Sequence, residues 1–502
     1  MKKRLFYAML GLFALIVVFT FSAFAESGKK SGLFTYEIKG NGTAIIIGFD
    51  WKSNGNKDVY IPRTLDGYMV TEIGELAFSS SSASLETLAG KAVLIVVPDT
   101  ITIIGDKAFF CTQITSINIP SSVKLIGGGA FAGCPNIRQF SVDSGNQVYT
   151  TIDGVLYNKT AKELVAYPLG KELVQGGVIA VPEGILSVAD YAFYSLKLDY
   201  NVYSGINWWH LITEKQSVAL PNSITRIGNY AFAECELNFS DHIEVLSGDF
   251  GEEPFALPLS LVSVGDYAFY NSKVCKITLP DTLKKIGKYA FGKALVWTHF
   301  ERDGTQYGFE LPNNVVEIGE GAFADITQKR YCFFDLSHSK VKTIPSFAFR
   351  GVYLGNLILP TTLEEIQTSA FEDALGVTTI PKTVKVIADR AFKSGGGNIK
   401  FEDGATIEEI GHEAFFHYHF NGQETLNLPN GLLEIGYCAF DNTTDLSLLV
   451  IPDSVIKIGE PLCDRAEVTL QVESGSYAAI FASENGYTTK KAGGDDTSWL
   501  NS

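Results

Sequence analysis

No catalytic signature runs through this chain. There is no His-Glu-x-x-His, no Gly-x-Ser-x-Gly turn, no phosphate-cradling glycine loop and no Asp-x-Asp-x-Asp-Gly calcium loop. Basic residues are outnumbered, 40 Lys and Arg against 56 Asp and Glu, giving a formal net charge of −16. Nucleic acid is therefore excluded as a partner class, because it demands a basic footprint. Basic protein partners stay open, and the charge favours solubility. Cysteine is sparse and odd in number, 7 residues with no Cys-x-x-Cys pair. A complete internal disulfide framework and a thiolate metal site are both unexpected. Beyond residue 25 no apolar run is long enough to cross a membrane. No catalytic residue, metal ligand or cofactor is assigned, and an enzyme is not expected.

What the chain has instead is repetition. Apolar-Pro, two polar residues, an aliphatic, Ile-Gly and Ala-Phe recur fourteen times, most cleanly from Leu279-Pro280 through Leu283, Ile286-Gly287 and Ala290-Phe291. The repeat phenylalanines are Phe78, Phe109, Phe131, Phe193, Phe232, Phe269, Phe291, Phe323, Phe349, Phe371, Phe392, Phe415 and Phe440, with Cys463 in the last, degenerate copy. The shortest intervals are 21 to 23 residues, as from Phe371 to Phe392 and from Phe392 to Phe415. A unit this small cannot bury its own apolar face, so it must stack on its neighbours as a solenoid. Longer intervals are one coil plus an insertion, or a coil whose signature has decayed.

Local chemistry predicts a strand and then a bend. Residues 274–279 alternate apolar and polar, which suits a short strand. Pro280 and Pro360 end such strands because proline has no amide hydrogen for the ladder. Leu283 and Ile286 point inward. Gly228, Gly287, Gly319 and Gly436 are read as sites of a tight turn or positive φ. Alanine lets backbones approach, and each phenylalanine stacks on the next, burying roughly 150–250 Å².

The pattern Ile/Leu-Pro-x-x-Val-x-x-Ile-Gly-x-x-Ala-Phe-x-x-Cys resembles the BspA-type leucine-rich repeat family of bacterial surface proteins. Residues 36–48, 59–62 and 66–70 look like that family's lead-in, residues 142–168 like its hairpin unit, and residues 476–487 like its terminal cap. The resemblance covers residues 33–490. It implies a right-handed leucine-rich-repeat solenoid with short parallel strands and short helical turns, about 14 coils of 21–23 residues plus insertions. It also implies adhesion to matrix proteins, other cells or surface glycans. Residues 1–25 read as a signal peptide, with Lys2, Lys3 and Arg4, an apolar core and Ala23-Phe24-Ala25; an uncleaved anchor is the rival. The expected organisation is a lead-in at 26–69, the solenoid at 70–466, a cap at 467–490 and a disordered tail at 491–502. The expected protein is a secreted or cell-surface monomer, with an extracellular protein or surface glycan as partner.

Four stretches exceed the bare coil: residues 137–177, 195–217, 236–255 and 294–309. All begin after an Ala-Phe closure, and insertions at one repeat position emerge on one face, often the binding face. Tyr200, Tyr203, Trp208, Trp209, His210, Trp297 and Tyr307 are the candidate ligand contacts. Exposed aromatics anchor proteins or stack on sugars; the plainer alternative is that they roof the solenoid. His412, His417 and His419 suggest a metal pair, although His412 occupies a position that elsewhere reads as solvent-facing. Cys134 and Cys235 lie three residues after their phenylalanines and read as buried thiols, with a Cys111–Cys134 disulfide as the alternative.

Overall fold

The computed structural model describes residues 28–55, 57–79, 93–172, 178–198, 217–237, 255–274, 277–296, 308–326, 332–376 and 379–492. The described residues form a parallel β-solenoid of about 16 turns with little helix. The turns beyond the fourteen signatures include those at the ends. There Ala44–Phe49 pairs in parallel with Tyr68–Ile73, and Thr489–Lys491 with Thr469–Val472, outside any Ala-Phe closure. The chain divides into two compact units, Met1–Val174 with Val188–Ser195, and Gln175–Ser187 with Leu196–Ser502.

In the second unit one coil carries three short strands, Ile277–Thr278, Lys285–Ile286 and Leu295–Val296. Each pairs in parallel with its counterpart in the preceding coil: Phe255–Ala256, Ser263–Val264 and Lys273–Val274. The middle strand shows how two residues suffice: Lys285 faces solvent and Ile286 is buried. Six such strands, from Thr343–Ile344 to Lys457–Ile458, make one continuous sheet. After the proline, a hydroxyl secures several coils to the one before. Thr282 Oγ1 donates to the carbonyls of Leu259 and Leu261 at 2.7 and 2.8 Å, and Thr362 and Ser454 repeat the contact. A polar residue at this position is therefore a coil-to-coil link.

The repeat glycine serves a different purpose from the one expected. Gly287, Gly319 and Gly436 do not adopt positive φ. A Cβ on Gly287 would fall 2.5 Å from the Gly265 carbonyl carbon and 2.6 Å from the Asp266 amide nitrogen. Glycine is there because the neighbouring backbone leaves no room for a side chain. Positive φ falls two residues later, on Tyr230, Tyr267, Tyr289, Ser369, Arg390 and Glu413. A second left-handed row follows each Ala-Phe pair: Glu234, Asn271, Lys293, Asp373, Ser394 and His417. The corner thus closes through two left-handed residues, and helix is confined among the described residues to Trp51–Asn54 and Tyr477–Asn485.

Left-handed side-chain-bearing residues cost of order 1–3 kcal/mol each. Here the conformation turns alternate amides along the stack. The N–H groups of Tyr289, Phe291 and Lys293 donate to the carbonyls of Glu320, Ala322 and Ala324 in the next coil, each at 2.8 Å. These bonds offset the strain, because an unpaired buried amide would cost a comparable amount.

Inside the corner the phenylalanines form the expected ladder. In the second unit the rings of Phe232, Phe269, Phe291 and Phe323 stack at 5.2, 5.3 and 5.6 Å, all within 6° of parallel. The ladder continues from Phe349 to Phe440 at 5.0–5.4 Å. In the first unit Phe78, Phe109 and Phe131 do the same. There the ladder begins on Phe49, and Trp51 Nε1 donates to the Phe78 carbonyl at 2.8 Å. The hairpin Tyr149–Ile152/Val155–Asn158 turns on left-handed Asp153 and Gly154, the geometry that Asp-Gly favours. In the second unit the helix Tyr477–Asn485 caps the last coil. Tyr487 hydroxyl accepts from the Leu462 amide and donates to Glu460, both at 2.9 Å.

Phe291→Ala is expected to cost about 3–5 kcal/mol. Because stacked coils interact with nearest neighbours, faster hydrogen exchange should concentrate in the coils of Phe269 and Phe323; uniform loss of protection would contradict this. Tyr418 tests the reverse case. It is fully buried against Phe392 and Phe415, and its hydroxyl has no partner. Tyr418→Phe removes a desolvated polar atom and should be neutral or stabilising by about 1–3 kcal/mol in thermal unfolding.

Candidate functional site

All seven candidate contacts, Tyr200, Tyr203, Trp208, Trp209, His210, Trp297 and Tyr307, lie outside the described residues. The ends of their insertions are described. In the second unit, chain leaves from the third strand position at Lys197, Glu236–Leu237 and Leu295–Val296, which lie in one parallel register. It returns at the first strand position at Ser217–Ala219, Phe255–Ala256 and Gly308–Glu310. The shared repeat position thus becomes a shared corner of the coil.

Beside that corner runs an outward row of aromatics. Tyr230 and Tyr267 stack at 4.7 Å and 3°, and Tyr267 and Tyr289 at 5.3 Å and 14°. Tyr270 meets Tyr267 edge-on at 5.4 Å, and Lys293 Nζ lies 5.7 Å from the Tyr270 ring centre. All four rings are half-buried. Burial pushes the Tyr267 and Tyr289 phenols above their ordinary value. In the first unit Phe110, Tyr191 and Tyr194 form a comparable group, with Lys107 Nζ 5.0 Å from the Tyr191 ring. Burial, with Asp190 and Asp106 nearby, pushes Tyr191 up to about 12.

Sequence reasoning missed this row although its signal was present. Tyr-Ala-Phe occurs at 191–193, 230–232, 267–269 and 289–291. The tyrosine looked like an indifferent residue between the glycine and the Ala-Phe pair. Farther along the second unit the row becomes ionic: Arg350 pairs with Asp325, and Arg390 and Lys393 share Glu413 at 3.0 and 2.6 Å.

The histidines do not converge. His412 is exposed, yet its Nδ1 accepts from the Tyr437 amide at 2.8 Å. It thereby takes the role that Asp266 and Asp389 fill toward Lys288 and His412 in their own coils. His417 packs on Phe416 and His419 bonds Thr444 Oγ1 at 2.7 Å. Among the described residues no three His, Cys, Asp or Glu side chains gather as a metal site.

Cys111, Cys134, Cys235, Cys438 and Cys463 are free thiols, so the alternative Cys111–Cys134 disulfide is not formed. Cys134 Sγ donates to the Phe109 carbonyl at 3.0 Å. Thr112, Ser272 and Thr443 hold the same repeat position and donate to a phenylalanine carbonyl at 2.8, 2.6 and 3.2 Å. Those hydroxyls bond the phenylalanine three residues before them, whereas Cys134 reaches back to the phenylalanine of the preceding coil.

The repeats match the model of the BspA type leucine rich repeat region, with 6 copies, over residues 57–163, 210–248, 252–373, 293–419 and 397–465. The chain belongs to the BspA-type leucine-rich repeat family. Among solved structures, a leucine-rich cell surface protein of Faecalibacterium prausnitzii is 16% identical, with 94% of this chain and 96% of that one covered and a TM-score of 0.37. A leucine-rich repeat protein of Bacteroides ovatus is 19% identical, with 92% and 99% covered and a TM-score of 0.40. Another, from Eubacterium ventriosum, is 17% identical, with 83% and 94% covered and a TM-score of 0.35. No curated protein matches the chain. Among the described residues of this BspA-type protein, no helix is long and apolar enough to cross a membrane.

Burial pushes the Cys111 and Cys463 thiols up to about 12 and Cys134 to about 11. A native thiol that stays protonated is a poor nucleophile. At pH 8 these three should resist alkylation in the folded protein and react once it is unfolded in urea, as peptide mass spectrometry would show. Their folded values exceed the unfolded one of about 8.5, so their stabilising contribution is complete below that pH and declines as pH rises toward the folded values.

Proposed function

We propose that this chain is an exported surface protein of the BspA type that works by binding, with adhesion to matrix proteins or other cells as its role. The observation carrying this reading is the common corner from which the second unit's insertions depart, beside the outward Tyr230, Tyr267 and Tyr289 row. Stacked coils hold these positions rigidly, so a partner meets an ordered array without an ordering cost on this side. Each coil repeats the corner, which suits recognition by many modest contacts over an extended area. The charged start, apolar core and Ala23-Phe24-Ala25 of the leader support export, and the family's described surface relatives support the location. No catalytic role is proposed for any residue.

The test is an array of immobilised matrix proteins and glycans probed with residues 26–502. Saturable, salt-tolerant binding is expected. Trp208→Ala with Trp209→Ala should weaken it by at least tenfold if the insertions carry the contact, about 1.4 kcal/mol or more. Silence across the whole array would sink the binding reading in favour of a passive spacer in the envelope.

A further inference from the structure

We propose that the outward ladder of Tyr230, Tyr267 and Tyr289 holds an extended, uncharged polysaccharide running along the coil stack, one sugar per coil; this rests on the binding reading above. Three observations point to that occupant.

The first is charge. Each coil presents three outward positions: the residue before the tyrosine, the tyrosine and the second left-handed residue. They read Asn229, Tyr230, Glu234; Asp266, Tyr267, Asn271; and Lys288, Tyr289, Lys293. The acids Glu234 and Asp266 balance the bases Lys288 and Lys293, so these nine positions are formally neutral on a chain of net charge −16, with one further acid, Glu320, beside Lys288. The charges are also engaged locally. Asn271 Nδ2 donates to Glu234 Oε2 at 2.7 Å, and Lys288 reaches Glu320 at 3.5 Å. A polyanion finds no excess of cations here, and a polycation no excess of acids.

The second is the way the rings are turned. Stacking at 4.7 and 5.3 Å uses the ring faces against one another, so the half-buried ladder offers ring edges rather than faces. The Tyr267 and Tyr289 hydroxyls are protonated at neutral pH, as phenols ordinarily are, and can both donate and accept. A row of such groups, flanked by an amide and paired charges, matches a polyol better than an apolar surface.

The third is pitch. The rungs recur at 4.7 and 5.3 Å. A peptide strand presents the same face only every ~6.6–6.8 Å, so it would slip out of register within two rungs. A partner α-helix, with a pitch of about 5.4 Å, comes nearer, but it docks through an apolar stripe that this patch does not complement. A chain of equatorially linked pyranose rings advances by one ring length per sugar, close to the rung spacing, and brings hydroxyls to each rung. The ladder also has a defined end. The next coil carries Gly321 at the tyrosine position, and a Cβ there would lie 2.3 Å from the Tyr289 ring. The ladder therefore ends at Tyr289 on this side.

Calorimetric titration of residues 26–502 with neutral linear gluco-oligosaccharides, from disaccharide to hexasaccharide, decides the matter. Affinity should rise with length from the disaccharide to at least the trisaccharide. Tyr267→Phe keeps the ring stack and removes the central hydroxyl; it should weaken binding about two- to tenfold without changing the melting temperature. Tyr267→Ala should weaken it further. The inference is overturned if no member of the series binds, if affinity ignores length, if Tyr267→Phe binds like the parent, or if only sulfated or uronic-acid glycans bind. Binding to matrix proteins with neutral glycans silent would remove this inference and leave the adhesion reading standing.

Discussion

One constraint governs the molecule: each coil must rest on the next at the spacing of hydrogen-bonded strands, about 4.8 Å. The phenylalanine rings obey it in the core, at 5.2 to 5.6 Å from Phe232 to Phe323. The tyrosine rings obey it at the surface. Gly287 is glycine because at this spacing the preceding backbone occupies the place of a Cβ. Tyr289 and Lys293 accept left-handed backbone because it turns their amides toward the next coil. Features that look separate in the sequence are thus answers to one distance.

That constraint divides the work between the two sides of the chain. Inward positions are held to a narrow choice of Ile, Val, Leu, Ala and Phe by close packing. Outward positions beside them are released. On the middle strand Lys285, Glu317, Glu365 and Lys457 each precede a buried isoleucine without disturbing its register. The surface chemistry can change from coil to coil while the scaffold stays fixed, and in this chain the corner changes from stacked tyrosines to Arg350, Arg390, Lys393 and Glu413. Recognition in such a protein resides in sequences of outward positions, and no single cavity is needed to hold it.

The solenoid, its phenylalanine ladder and the common origin of the insertions were legible in the sequence, because they follow from spacing and from the chemistry of proline and phenylalanine. The backbone at the corner was not. Tyrosine, arginine and glutamate are poor candidates for positive φ by local preference, so nothing in Tyr289, Arg390 or Glu413 announces it. Only the inter-coil hydrogen bonds, which are tertiary, make that conformation the favourable one. Gly287 misled for the same reason: its local freedom suggested a turn, while its actual requirement comes from a neighbour 22 residues earlier, Gly265. At the surface, attention went to Trp208 and Trp209 because they interrupt the repeat, and the Tyr-Ala-Phe row was overlooked because it belongs to the repeat.

The substitutions within the repeat show what the pattern specifies. His412 replaces Asp266 and Asp389 by offering the same acceptor to the next amide. Thr112, Ser272 and Thr443 share one role by donating to the phenylalanine carbonyl three residues before them. Ser454 and Thr362 are interchangeable because either hydroxyl reaches the previous coil. The repeat is therefore a set of hydrogen-bond roles at fixed places, and residue identity is free wherever a second side chain can fill the role. The position before Ala-Phe is not held to tyrosine: Gly321, Ser369 and Glu413 stand at equivalent corners of equally regular coils. A residue that the scaffold does not require, yet that recurs as tyrosine in three consecutive coils of the second unit, is where selection for contact with something outside the scaffold is most readily placed.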